Sequence, residues 1–419
     1  SDEDLISESG EYCQPNFKPN YSPEFLLSSY FTGDMCVYSM QTLNDIGRFV
    51  EKQGLDVFHD LALRVCEAVG RDQVVHIPRI LYHRNSEPRE VTGAQSGEKA
   101  VELAIRRRRI NASVSIRCSL SPLYSLKFEP RDNPKVSLVI PTHNQAKMLK
   151  KCIGSIRAKT GYSNYQIIVI DNLSDQAELL EYLDNEESAG RIRVIRDKRP
   201  FSHSRVNNMA IERIDADFAV VMNNDVEVIS DQWFEQMAGT MQSDDSIGCV
   251  GGLLLYPDKT VQHGGIILGI RQAAGHAHKY MKSAWPGYYK RLHSLQEFSA
   301  VTSAFSLVRV SAFRQVGGYD AERYPNSFND VDLCLRLRKR GYRCIYNPNI
   351  VAIHHESRTR KVTVRDVEYR KRLAQDYAEI LEKDPFYNRN LALDNEQFRG
   401  FRDFPVEWQI DDLVNSDGN

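Results

Sequence analysis

Several short clusters of oxygen- and nitrogen-bearing side chains each follow directly on an apolar run. Phe218-Ala-Val-Val-Met222 leads into Asn223-Asn224-Asp225-Val-Glu227. Carboxylate and amide oxygens grouped in this way can hold a hard divalent cation. Mg2+ and Mn2+ take carboxylates together with substrate phosphates. The simpler alternative is a solvated turn with Asp225 as a helix cap. Pro141-Thr142-His-Asn144 follows the run 136–140, and Asp171-Asn172-Leu-Ser174 follows the run 166–170. A carboxylate at the end of a strand can accept hydrogen bonds from ribose hydroxyls or a base edge. Here too Asn144 or Ser174 would otherwise serve as a cap.

Phe328-Asn329-Asp330-Val-Asp332-Leu-Cys-Leu-Arg336 sets two acids two apart at the start of an expected helix. The helix dipole favours their ionised form, and an ionised carboxylate can take the proton of an attacking hydroxyl. The structural alternative is capping plus an Asp332–Arg336 pair one turn apart. The run 349–353 ends in His354-His355-Glu356, where a histidine near a bound cation is a candidate ligand. His263-Gly-Gly265 and His276-Ala-His278 are expected in loops or on the acceptor side of a site.

These clusters need elements that bring them together. Apolar runs at 136–140, 166–170, 192–195 and 218–222 alternate with helix-like stretches near 145–159, 175–187 and 203–213. That alternation predicts an open, mostly parallel sheet with helices on both faces. Ligands of such sheets sit beyond the carboxyl ends of the strands, where the clusters lie. No Gly-x-Gly-x-x-Gly or Walker motif follows the first run, which disfavours a dinucleotide dehydrogenase and a P-loop NTPase. A nucleotidyltransferase is disfavoured because 141–147 holds no glycine.

Ahead of this unit, 96–109 reads as a helix ending in four arginines, with two short strands near 113–118 and 122–128. Glu129-Pro-Arg-Asp-Asn-Pro134 reads as a linker. Behind it, 362–384 reads as a helix broken at Asp384-Pro385. Residues 31–49 also match 301–319 at an offset of 270. Asp60-Leu-Ala-Leu-Arg64 echoes Asp332-Leu-Cys-Leu-Arg336, and 77–83 echoes 347–354. Three blocks in one order indicate a structural duplication.

The chain of 419 residues is long enough for two or three domains. With 54 basic and 56 acidic residues it is near neutral, which argues against a general nucleic-acid binder. A charged fraction of 26% with 10% aromatics argues against disorder, yet no apolar run approaches the roughly 18–20 residues of a membrane span. The acidic first residues do not read as a signal peptide. Eight cysteines without a Cys-x-x-Cys pair read as reduced thiols of a cytosolic protein.

Residues 135–358 resemble the family 2 glycosyltransferases, inverting enzymes with the GT-A fold, and within them the bacterial rhamnosyltransferase-like branch that builds O-antigens and other surface polysaccharides. The ordered pieces are Val139-Ile-Pro-Thr-His-Asn144, Asp171-Asn-Leu-Ser174, Arg199-Pro-Phe-Ser-His-Ser204 with Asn207, Asn223-Asn-Asp225, Asn329-Asp330 and His354-His-Glu-Ser357. The resemblance implies a nucleoside-diphosphate sugar (UDP-, dTDP- or GDP-linked) as donor. It would be bound by Pro141, Thr142, Asn144, Asp171, Asn172, Arg199, Phe201, Ser204, Asn207, Asn223 and Asn224. It implies Mn2+ or Mg2+ on Asp225 with His354 or His355, and Asp330 as the catalytic base. His263, His276, Asp332 and Arg336 fall to the acceptor side, facing a glycan or lipid-linked glycan. The chain departs from the family pattern at Asn223 and Asn329, where acids are usual. These two residues motivate the alternative of a non-catalytic glycan-binding or scaffolding protein.

Ser1-Asp-Glu-Asp4 resembles the metal segment of a preceding domain of the same kind, although Phe58 replaces the acid expected before Asp60. The expected organisation is therefore a partial, non-catalytic GT-A-like segment at 1–95, a helix and two-strand linker at 96–134, the catalytic domain at 135–360, and a C-terminal helix and tail at 361–419. The expected location is cytoplasmic, with peripheral contact at the inner face of the membrane through the tail helix or the arginine run.

Overall fold

The computed structural model describes residues 1–50, 54–85, 93–119, 121–356 and 364–402. Strand β1 (Asp2–Ile6) pairs antiparallel with β2 (Tyr12–Asn16). Helices α1 (Pro23–Ser28), α2 (Met40–Asp45) and α3 (Val57–Val69) follow, and β3 (Ile80–Asn85) returns parallel to β1. Local chemistry sets the helix starts. The Ser22 and Asp56 side chains accept from backbone N–H groups of α1 and α3, which would otherwise have no partner. Helix α4 (Ala94–Arg107) packs Ala100, Val101 and Ala104 inward. The hairpin β4 (Ala112–Cys118) and β5 (Leu123–Phe128) stands where the two short strands are expected. At the end of α4, Arg107 is bound to Asp60 and Glu67.

The larger sheet begins with β6 (Val136–Thr142), α5 (Ala146–Lys159), β7 (Tyr165–Asn172), α6 (Ala177–Ser188), β8 (Arg193–Asp197), α7 (His203–Ile211) and β9 (Phe218–Met222). β6 and β9 are buried along their whole length, as continuous apolar strands covered on both faces must be. β8, β7, β6 and β9 lie side by side and parallel. The sheet then becomes mixed. β10 (Val226–Val228), α8 (Trp233–Gln242), β11 (Ile247–Leu255), β12 (Val261–His263), β13 (Ile266–Leu268), β14 (Ala274–His276), β15 (Gln296–Phe298) and β16 (Phe305–Arg309) follow in chain order. α9 (Val310–Gln315), α10 (Asn329–Lys339), β17 (Arg343–His354), α11 (Val364–Asp376) and α12 (Ala378–Glu382) complete the described elements. β16 lies antiparallel between β9 and β11, β17 runs parallel to β11, and β10 closes the order antiparallel to β17. The expected parallel α/β unit is thus present, with an antiparallel insertion beyond β9. Ser357 of the closing histidine motif and residues 403–419 of the tail lie outside the described residues.

The duplicated blocks share geometry as well as sequence. α2 and α9 occupy matching positions, and the glycines that end them, Gly47 and Gly317, have φ of 81° and 78°. Arg64 donates to Ile46 O at 2.9 Å and pairs with Asp60 at 2.7 Å. Arg336 donates to Val316 O at 2.8 Å and pairs with Asp332 at 2.6 Å. The likeness does not extend to the sheets. Leu307 is 1% exposed inside β16, whereas Val37, its counterpart, is 88% exposed and lies outside the described strands. β1 and β3 are also parallel, where β10 and β17 are antiparallel.

Buried charge ties residues 1–95 to the larger sheet. Arg343 of β17 donates to both oxygens of Glu24 at 2.8 Å and to Asp244 at 2.9 Å. Glu297 of β15 accepts from Arg338 at 2.6 Å and from Arg71 at 2.9 Å. Arg343→Met should leave Glu24 uncompensated in the interior and cost about 3–5 kcal/mol. Val37→Ser should stay within about 0.5 kcal/mol. Urea denaturation of the two variants beside the parent chain measures both, and comparable losses would refute this account of how the segment is held.

Candidate active site

The carboxyl ends of β6 and β7 are clasped by one asparagine. Asn144 sits at φ 56°, a left-handed conformation that asparagine tolerates. Its Oδ1 accepts from the N–H groups of Asp175 and Gln176 at 3.0 Å, and its Nδ2 donates to Asp175 at 2.9 Å. Thr142 accepts from Asn224 Nδ2 at 2.9 Å, which joins the loop after β6 to the loop after β9. Pro141 is buried at the end of β6. Asp171 is buried, accepting from Arg196 at 2.9 Å and from Ser174 N at 3.3 Å. Asn172 points into the protein, donating to Asp197 O and Arg199 O at 3.1 and 2.8 Å, and so holds the β8 loop. Arg199 pairs with Asp197 at 2.8 Å, and Phe201 is half exposed beside it. Ser204 donates to Tyr324 O at 2.5 Å, and Asn207 donates to His203 O at 2.8 Å while its buried Oδ1 has no partner.

A second group forms where β9, α10 and β17 end. Asp225 Oδ1 lies 3.0 Å from His354 Nε2, and Asn223 Nδ2 lies 3.3 Å from the same nitrogen. Asn223 also hydrogen-bonds His203, whose Nδ1 is 2.8 Å from Asn329 Nδ2. Asn329 in turn accepts from Asp330 N at 3.0 Å. One continuous set of contacts therefore runs from Asp225 to Asp330. A backbone bond from Asn223 N to Ala304 O, next to Ser303 whose N–H reaches Asp330 Oδ2 at 3.4 Å, links the same two regions.

The electrostatics of the two carboxylates differ. Burial raises the Asp225 carboxyl, but His354 beside it more than offsets this when protonated, so the net direction is down. Burial pushes Asp330 up to about 6, and its hydrogen bonds from Val331 N and Ser303 N only partly oppose the shift. Burial pushes His203 down to about 4, so that imidazole is neutral near pH 7.

Not every expected residue joins the group. Side chains alternate along the end of β17, so His355 turns away from His354 and lies 2.9 Å from Glu227, which also binds Lys151. Asp332 is occupied by Arg336 and by the Tyr377 hydroxyl at 2.6 Å, and Arg336 is held by Val316 O. These two residues make a joint between α10 and the end of α11 rather than an open acceptor surface. His263 is buried and His276 half-buried, their Nδ1 atoms lie 2.8 Å apart, and loss of solvent pushes both imidazoles down. Cavities of about 610 and 530 Å³ lie elsewhere, beside Arg309 at the amino end of β9 and beside Tyr377. Sequence reasoning passed over His203, which sits inside a quoted segment at the start of a helix. It also passed over Gln262, whose position one before His263 carries no signal.

Residues 137–317 match the model of Glycosyl transferase family 2. A Sinorhizobium fredii protein described as uncharacterized protein y4gI is 33% identical over 95% of this chain and 45% of its own length. The O-antigen biosynthesis protein RfbC of Myxococcus xanthus is 29% identical over 94% of this chain and 31% of its own length. The chain thus spans less than half the length of either curated relative. The crystal structure of GalNAc-T7 with UDP, GalNAc and Mn2+ aligns with a TM-score of 0.48 at 14% identity, over 59% of this chain and 50% of that one.

A carboxyl raised above its unfolded value leaves the folded state favoured below about pH 4 and costs it stability as the pH rises through about 6. Asp330→Asn removes that charge. The variant should be more stable than the parent by on the order of 1 kcal/mol at pH 8 and by much less at pH 4. Denaturation midpoints at the two pH values test this, and a gain independent of pH would contradict the assignment.

Proposed function

We propose that this chain, whose residues 137–317 match the model of Glycosyl transferase family 2, moves a sugar from a nucleoside-diphosphate sugar to a hydroxyl of a glycan or lipid-linked glycan, with inversion at the anomeric carbon. The observation that carries this reading is the joining of Asp225 and Asp330 through His354, Asn223, His203 and Asn329. A charge-binding pair and a raised carboxylate thereby share one site at the carboxyl edge of the sheet.

Asp330 supplies the base. Its carboxylate takes the proton of the acceptor hydroxyl as that oxygen bonds to the anomeric carbon, and the bond from that carbon to the diphosphate oxygen breaks on the opposite side. A value near 6 leaves the group ionised at neutral pH yet basic enough to accept a proton. The loops clasped by Asn144, with Asp171 and Thr142 at their base, form the floor for the nucleotide.

Asp225 and His354 suit a divalent cation. With Nε2 deprotonated, as cation binding would require, His354 would present a lone pair 3.0 Å from the buried Asp225 Oδ1. Two acceptors facing each other are unfavourable unless a cation satisfies both. Mn2+ or Mg2+ held there would stabilise the negative charge of the departing diphosphate. His355 takes no part. The name of the Myxococcus relative supports an acceptor belonging to a surface polysaccharide. Among the described residues no helix is long and apolar enough to cross a membrane.

Asn223 lies between His203 and His354, and Asn329 donates to His203, so both asparagines also have places in the catalytic reading. Two measurements separate the readings. In the parent chain, a nucleotide-sugar screened with Mn2+ should raise the melting temperature, by mass action on the folded state. In Asp330→Asn, that shift should persist while turnover falls by at least about a hundredfold. In the parent, kcat/KM should climb as the pH rises through about 6. Undiminished transfer by Asp330→Asn would falsify the role given to Asp330.

A further inference from the structure

The contacts around His354 have a direction. Gln262 is 4% exposed on β12, and its Nε2 donates to Glu356 Oε2 at 3.1 Å. A carboxylate only accepts, so the amide nitrogen must face Glu356 and the amide oxygen must face the other way. That oxygen lies 2.8 Å from His354 Nδ1, which therefore carries the proton. On the far side, Asn329 Nδ2 donates to His203 Nδ1. The neutral His203 then has its proton on Nε2, facing the Asn223 oxygen, and the Asn223 amide nitrogen faces His354 Nε2. Every donor thus points the same way, from Asn329 to Glu356.

We propose that Gln262 and Glu356, together with His203, Asn223 and Asn329, form a positioning relay that holds His354 as its Nδ1–H tautomer with the Nε2 lone pair turned to Asp225. The inference rests on the cation-binding reading of Asp225 and His354, and it adds Gln262 and Glu356, which reach Asp225 only through His354. It also explains the departures from acid at 223 and 329. An asparagine accepts with one end and donates with the other, whereas an aspartate in either place would stop the relay. Partners that fix the tautomer of a ligating histidine typically govern metal affinity by about ten- to a hundredfold.

The test uses the full chain labelled with ¹⁵N-histidine, without metal, at pH 7.5. Long-range ¹H–¹⁵N spectra should show a preference for a proton on His354 Nδ1, where Gln262 accepts it. In Gln262→Leu that preference should collapse to a mixture. Glu356→Gln keeps the shape but lets the Gln262 amide turn over, and should weaken the preference in the same direction. Thermal unfolding of both variants confirms that they fold. By isothermal calorimetry, Mn2+ affinity should fall about ten- to a hundredfold in Gln262→Leu. The relay is overturned if His354 Nδ1 carries a proton to the same extent in all three proteins, or if Nδ1 is unprotonated in the parent. If the tautomer behaves as expected but the parent binds no Mn2+, the relay stands and the cation reading fails, so the two are judged separately.

Discussion

The site depends on where one strand ends. β17 carries Arg343 at its start, inside the charge cluster with Glu24, and His354 at its end, facing Asp225. Between them its register against β11 shifts, since Gly252 opposes Asn347 while Leu253 opposes Val351. This detour requires the glycine. A Cβ on Gly252 would come within 2.6 Å of Ile350 O. The parity of the residues after the shift decides which histidine faces the cluster. A slip by one position would exchange His354 for a neighbour on the opposite face. The buried ion cluster at the start of β17 and the binding group at its end are thus held by one strand.

The second organising feature is the contrast between two carboxylates a few contacts apart. Asp225 is pulled toward ionisation when the His354 ring beside it is protonated, while Asp330 is pushed toward neutrality by burial. Separating the proton affinities of two acids is how one site provides both a charge-binding position and a proton acceptor near neutral pH. The neutral histidine and two asparagines between them join these positions without adding a charge of their own. The loops after β6 and β7 are joined in the same way. Asn144 satisfies two backbone N–H groups of the neighbouring loop, and Asn172 binds the loop after β8, so adjacent strand ends form one surface.

The N-terminal segment shows how far duplicated sequence carries duplicated structure. The helix, its terminal glycine and the aspartate–arginine pair recur because their contacts are local. The strand recurs only where neighbours exist to pair with it. Residues 305–309 have β9 and β11 on either side, whereas the counterpart of Leu307, Val37, is left exposed.

Much of the architecture was legible in the amino-acid order. The buried strands β6, β7 and β9 are continuous apolar runs, a pattern that follows from covering a parallel sheet on both faces. The polar cluster after β9 marked Asp225, since strand polarity sends such ends to one edge, whereas Asp330 was marked as an acid at the start of a helix. The choice between His354 and His355 was not legible, because it depends on strand register. Nor was the withdrawal of Asp332 and Arg336 into a joint with Tyr377, a residue 45 positions away. Gln262 carries no motif, and only the pairing of β12 beside β11 brings its amide to His354. Periodicity and strand ends are properties of neighbouring residues and can be read in order. The orientation of an imidazole is decided by partners from four separate segments, and those meet only when the chain has folded.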